Sequence, residues 1–229
     1  MPIQFDADLG KLKEKLLQMG AIAENMIHNI STVLIDQNTT LLAQIYENEN
    51  ELDRLQTELD EETVKLISVY TPVAGNLRLL LMVTRINAEI ERIGDKVVDI
   101  GHIVENFIQE KRAKKIVNFS HIAEDTQDML RKALNAFVNK SPGEALAVID
   151  ADDRVDQQTD QTFRVLFTHM LDNPQTIGYL FGQMLAAQAF ERIADHAVNI
   201  AEDVIYMVKG EDIRHMDEID KNHSGQDNS

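Results

Sequence analysis

The sequence predicts an all-α protein built as two tandem, structurally similar three-helix bundles. Three observations carry this reading. Six long segments are rich in Leu, Ile, Ala, Met and Glu, no stretch alternates apolar and polar residues with period two, and the chain repeats itself. At 44% hydrophobic over 229 residues, the chain has enough apolar material for a real core.

The helices follow one another between sparse breaks. The first is expected over 5–36, ending at Asp36–Thr40, where Asn38 or Thr39 caps the second over 40–69. Thr71-Pro72, Ser141-Pro142 and Asn173-Pro174 each place a capping residue before a proline, the first-turn signature of a helix. They open helices at 73–111, 142–171 and 175–209, and Asn118–Ser120 opens the fourth at 120–139. Ser141 has Glu144 three residues on, which predicts a capping box. Helices of some 30 residues run to roughly 45 Å.

Packing is written most clearly in the third segment. Leu79, Val83, Ile86, Ile90, Ile93, Val97, Ile100, Val104 and Phe107 alternate spacings of four and three, the roughly 3.5-residue seam of long bundles with shallow crossing angles. The last segment repeats it with Tyr179, Ala186, Phe190, Ile193, Ala197, Ile200, Val204 and Met207, with Gln183 as the polar exception. Glu91-Arg92-Ile93-Gly94-Asp95 recurs as Glu191-Arg192-Ile193-Ala194-Asp195, an offset of 100, whereas earlier in each half the offset is 103. The expected units are therefore 5–111 and 119–210, followed by a flexible polar tail at 211–229.

With 22 Lys+Arg against 39 Asp+Glu, the net charge is −17, which argues against nucleic acid and anionic membrane surfaces as partners. Cysteine is absent, so disulfides, thiolate metal sites and thiol catalysis are excluded. No signal peptide and no membrane-spanning run is read from the sequence, and the expectation is a soluble cytoplasmic protein without membrane insertion. Phosphate-binding glycine loops, nucleophile elbows and His-Glu-x-x-His motifs are missing too, so no enzyme is expected.

The acids themselves are patterned. Two acids four apart occur about six or seven times by chance at this composition, so placement matters more than number. Glu49/Asp53 and Glu91/Asp95 recur as Asp152/Asp156 and Glu191/Asp195 at equivalent points of both repeats, and Asp99 and Asp160 extend two of the pairs. Like charges at i and i+4 repel by about 0.2–0.5 kcal/mol per pair. Arg92 to Asp95, Lys96 to Asp99 and Arg192 to Asp195 offer local relief at i+3, which leaves a solvated acidic face as one reading. A hard cation bridging carboxylates of neighbouring helices is the other, since Mg²⁺, Ca²⁺, Mn²⁺ and iron ions accept carboxylate oxygens. Relative to the seam, Glu91, Asp95 and Asp99 face away from the bundle core. An inward-facing di-iron site would need two Glu-x-x-His units; within the predicted helices only Asp99-x-x-His102 resembles one, its counterpart being Asn199-x-x-Glu202, and Asp212-x-x-His215 lies in the tail.

The duplicated Glu-Arg-Ile-Gly/Ala-Asp, with His196, Asn199 and Ile200 trailing it, resembles the PhoU family of accessory proteins of bacterial phosphate-specific transport. Thr71-Pro72-Val73-Ala74-Gly75-Asn76-Leu77-Arg78 and the acidic segments around Leu52-Asp53 and Val155-Asp156 fit the same family, over roughly residues 8–210. The resemblance implies two three-helix bundles and surface metal clusters of iron, zinc, manganese or magnesium. It also implies negative regulation of the phosphate-starvation response, as an adaptor between the transporter's ATPase subunit and a phosphate-sensing histidine kinase, in a homodimer. Carried onto this chain, the metal motifs fall on Glu49, Asp53, Glu91, Asp95, Asp99, Asp152, Asp156, Glu191 and Asp195, with His196 and Asn199 as auxiliary groups. Lys96 stands where the second repeat has His196, and Asp99 where it has Asn199, so the first site is the more acidic. Rival readings are an accessory protein of a low-affinity phosphate permease and a helical scaffold without physiological metal.

Overall fold

Apolar residues at heptad spacing, few prolines and few glycines leave long uninterrupted helices as the stable local structure. The computed structural model describes residues 3–108, 116–210 and 212. Among the described residues lie α1 (Ile3–Asp36), α2 (Leu42–Tyr70), α3 (Gly75–Ile108), α4 (Ser120–Asn139), α5 (Pro142–Asp172) and α6 (Ile177–Lys209), and no strand. The tail predicted at 211–229 lies outside the described residues apart from Asp212, and so does the end of the third helix predicted beyond 108.

Helices α1, α2 and α3 pack on one another, as do α4, α5 and α6, and the two bundles meet along α3 against α6 and α1 against α4. The seam on α3 from Leu79 to Val104 is buried at every position, as is the α6 seam from Tyr179 to Met207, Gln183 included. Phe107 belongs to the same seam by spacing, but its side chain lies outside the described residues. The bundle cores merge into one hydrophobic cluster that runs through the junction. Helix α6 is consequently buried well beyond one stripe, with Ala187, Ala194, Ala201 and Ile205 added to its seam. Small residues let the helices approach closely. A Cβ on Gly94 would stand 2.7 Å from Leu52 Cδ1, and one on Gly20 would collide with Leu134 of α4.

The predicted breaks hold in part. Asn38 caps the short 3₁₀ turn at Thr39–Leu41, its Oδ1 accepting from Thr40 N at 3.0 Å. At α4 the N-cap position is Phe119, and Asn118 just before it accepts from Ser120 N at 3.1 Å and Ser120 Oγ at 2.7 Å. Thr71-Pro72 differs from expectation. Proline excludes right-handed helical geometry at the residue before it, and Thr71 ends α2 in the left-handed region (φ 41) instead of opening α3. A turn follows, with Ala74 also at positive φ, and α3 starts at Gly75. Asn173-Pro174 opens a 3₁₀ turn at Pro174–Thr176, after which α6 begins at Ile177.

Ser141 caps α5 as expected, its Oγ accepting from Glu144 N at 3.2 Å. The reciprocal half of the capping box is absent, for a local reason. Ser141 N donates to Ala136 O at 3.0 Å, which closes the end of α4, and the Glu144 carboxylate accepts from Asn139 Nδ2 instead. Ser141→Ala should cost about 1 kcal/mol of stability, measured as a lower urea midpoint at unchanged slope.

Candidate metal centre

Because α2 packs on α3, and α5 on α6, the outward carboxylates of each helix pair form one acidic group per repeat. In the first repeat, burial and then the charges of Asp53 and Asp95 push the Glu49 carboxyl above its usual range. Burial and then Asp95, Asp53 and Glu49 do the same to Glu91, and Asp95 is raised by burial, Asp53 and Asp99. Carboxylates from both helices therefore feel one another, which is the arrangement the duplicated motif predicts.

The second repeat is tighter. Asp152 is pushed up to about 6 by burial first and then by Asp156, Asp195, Asp153 and Glu191. Asp156 is raised by burial and then by Asp195, Asp153 and Asp160, and Glu191 by burial and then by Asp156, Asp195 and Asp160. Asp152 Oδ1 is buried and accepts no hydrogen bond. An ionised oxygen without a donor, crowded by four further acids, costs free energy that a cation would recover.

Both groups offer oxygen donors on two facing helices, the donor type that Mg²⁺, Ca²⁺, Mn²⁺ and iron ions accept. Among the described residues, no three His, Asp or Glu side chains close around a single point.

The remaining predicted residues sit differently. Asp99 is half exposed and held by Lys96 Nζ at 2.6 Å, as the i+3 spacing predicts. Arg192 reaches Asp195 at 3.3 Å, also as predicted. Arg92 does not reach Asp95. It turns back one turn to Glu89, with Nη1 2.6 Å from Oε1, because Glu89 is a buried carboxylate in need of donors. His196 and Asn199 point the same way: His196 Nδ1 lies 2.7 Å from Glu89 Oε2, and Asn199 Nδ2 donates to that oxygen at 3.0 Å. Both auxiliary candidates thus link α6 to α3 across the repeats. Burial raises the Glu89 pKa, but the bonds from His196 and Asn199 outweigh it, and the carboxyl titrates below its usual range.

Sequence reasoning missed Glu89 and its neighbour pair, Arg85 Nε to the buried Asp203 Oδ2 at 3.3 Å. Their signal lies in the mismatches between repeats, since Ala189 aligns with Glu89, Leu185 with Arg85 and Ile103 with Asp203. Burial dominates at Asp203 and pushes its carboxyl up to about 7 in spite of Arg85.

These raised carboxyls fix the sign of a pH dependence. Between the unfolded value near 4 and the folded values of about 6 (Asp152) and about 7 (Asp203), the folded chain holds protons that the unfolded chain has lost. Stability of the metal-free protein should therefore fall as pH rises from about 5 to about 7. Half-exposed Asp152 counts for less than its shift suggests, and a loss on the order of 2 kcal/mol is expected. Urea denaturation at the two pH values measures it.

The fold and the site define a class: an all-helical tandem repeat protein with one surface carboxylate group per repeat. A family model described as the PhoU domain matches residues 16–104 and 119–204, one match per repeat. The chain belongs to the PhoU family. It is 33% identical over 214 residues to a phosphate-specific transport system accessory protein PhoU homolog of Pseudomonas putida, covering 93% of this chain and 84% of that protein. It is 30% identical over 226 residues to the phosphate-specific transport system accessory protein PhoU of Escherichia coli K12, covering 98% and 94%. The crystal structure of PhoU from Pseudomonas aeruginosa superposes with a TM-score of 0.86 at 32% identity, covering 90% of this chain and all of that one. The phosphate transport system regulatory protein PhoU from Streptococcus pneumoniae shares the fold at a TM-score of 0.81 and 19% identity, covering 91% of this chain and 99% of that one.

Proposed function

We propose that this protein is a cytoplasmic, non-catalytic regulator of phosphate-specific transport. It acts as an adaptor between the transporter's ATPase subunit and a phosphate-sensing histidine kinase, and holds the starvation response off while phosphate is plentiful. The observation that carries the reading is the match to phosphate transport accessory proteins over both repeats and nearly the full length of this chain. The absence of any helix long and apolar enough to cross a membrane, among the described residues, is compatible with it.

Divalent or trivalent cations at the two carboxylate groups belong to the same proposal. Glu49, Asp53, Glu91 and Asp95 would hold one, and Asp152, Asp156, Glu191 and Asp195 the other. A bound cation would supply positive charge and fix the spacing of two helices in each bundle. Asp99 is available to the first site only by giving up Lys96.

A reporter for a phosphate-starvation promoter tests the regulatory role. Deleting this gene should raise reporter output in high phosphate, and the wild-type chain should restore repression. Low output in the deletion strain would sink the adaptor reading. Full repression by a chain with Asp95→Asn and Asp195→Asn would leave that reading standing and remove the cations from it.

A further inference from the structure

Gln183, the polar exception on the α6 seam, finds no partner there. The residue is 8% exposed, and its Oε1 is buried without a hydrogen bond. It lines a cavity of about 40 Å³ where α1 and α3 of the first repeat meet α6 and the start of α4, walled by Val33, Ile103, Val117 and Phe119. The first repeat shows what plain core looks like at these positions. At the offset of 100, Leu79, Met82 and Val83, all buried, stand where the second repeat has Tyr179, Gly182 and Gln183. Those three replacements bring in polar atoms and remove bulk, and all three residues line the cavity.

Tyr179 lies one turn before Gln183 on the same face of α6. Its hydroxyl accepts from Gln37 Nε2 at 3.0 Å, which leaves its own proton without an acceptor among the described residues. Gln37 reaches it from just beyond α1 with a φ of 52, a conformation that costs a non-glycine residue free energy and persists where the surroundings hold it. The cavity therefore presents a phenolic O–H and a carboxamide that bonds to no described residue. No Asp, Glu, Lys, Arg or His is among the described residues that line it, so a charged guest would be buried without a counter-charge.

We propose that this cavity binds a small neutral molecule through a primary carboxamide. The guest's NH₂ donates to Gln183 Oε1, its carbonyl oxygen accepts from Gln183 Nε2 and from the Tyr179 hydroxyl, and its carbon substituent rests on the apolar wall. Size agrees: one water needs roughly 10–15 Å³, so the cavity takes about three or four groups of that size, well short of the about 150 Å³ that holds benzene. Water alone would leave the apolar wall without a partner, and an inorganic anion would lose its hydration with nothing charged to replace it. A bound guest touches helices of both repeats at their junction. The site depends neither on cation binding nor on the regulatory reading.

Acetamide is the probe, and acetone, which has no donor, and acetate, which is charged, are controls of nearly the same size. Nuclear magnetic resonance signals of the Gln183 side-chain NH₂ and of the Gly182 backbone N–H, both at the cavity, report binding to metal-free full-length protein. Acetamide should shift both signals saturably, and acetone and acetate should each bind at least tenfold more weakly. Gln183→Leu replaces the amide by an apolar group of similar size, as Val83 does in the first repeat. Acetamide affinity, read at Gly182, should then fall at least tenfold. Should that variant fail to fold, Tyr179→Phe should weaken acetamide binding at least threefold. Equal affinity for acetamide and either control, or unchanged affinity in the variants, would overturn the proposal. So would the lack of any saturable shift, which would mean that the cavity holds water alone.

Discussion

Adding Mn²⁺ to the metal-free protein should raise its unfolding free energy by about 2.7 kcal/mol per occupied carboxylate group, once free ion exceeds the dissociation constant a hundredfold. The gain is large because the metal-free sites are electrostatically strained. Glu49, Glu91, Asp95, Asp152, Asp156 and Glu191 all have carboxyls pushed up by burial and by one another. A cation bound between helices removes that repulsion in the folded chain and has no comparable site in the unfolded one. For a chain of this length each kcal/mol moves the melting temperature by about 2–4 °C, so each group should add roughly 5–10 °C. Calorimetry at matched ionic strength separates site binding from general screening of a −17 chain. A melting temperature unmoved by Mn²⁺, Mg²⁺, Zn²⁺ and iron alike would contradict the expectation. The loss of stability from pH 5 to pH 7 should also shrink in the loaded protein, because a bound cation lowers the Asp152 pKa; the Asp203 part should persist.

Phe190→Ala should cost about 3–5 kcal/mol. Phe190 is fully buried on the α6 seam and lies in the shared core, its ring 6.2 Å from that of Phe119 at the start of α4. Close-packed helices on several sides prevent the cavity from collapsing, which places the loss at the upper end for a truncated phenylalanine. Because the residue immediately precedes Glu191, the loss should also lower cation affinity in the second repeat, through helix placement and not through lost donors. Leu81→Ala is the control: that side chain is 46% exposed on α3, and its removal should stay within about 0.5 kcal/mol. Urea denaturation of both variants measures the difference.

Much of this architecture is legible without coordinates because it follows from local rules. The heptad seams name the central buried stripe of α3 and α6, though not the further residues that α6 buries where the bundles meet, and the repeat offset shows that there are two bundles. Ser141 and Asn38 act as caps because their side chains answer a local need that sequence shows directly. Thr71-Pro72 misleads because a proline closes the preceding helix as readily as it opens the next. The seam between bundles is harder to read. Glu89, Arg85 and Asp203 lie off the heptad positions, and their burial arises only when α3 meets α6. Arg92 is misjudged for the same reason, since a buried glutamate out-competes a solvated aspartate for its guanidinium. The carboxylate groups were legible as pairs, whereas the unpartnered oxygen of Asp152 needed the packing of α5 on α6.

Metal content tests most directly whether the duplicated carboxylates hold cations as proposed. Wild-type protein and the double variant Asp95→Asn, Asp195→Asn are purified without added metal and submitted to elemental analysis. Wild-type protein is predicted to retain a divalent or trivalent metal in stoichiometric amount, and the variant to lose most of it while staying folded. Equal metal in the two proteins, or none in either after growth in metal-replete medium, would contradict it.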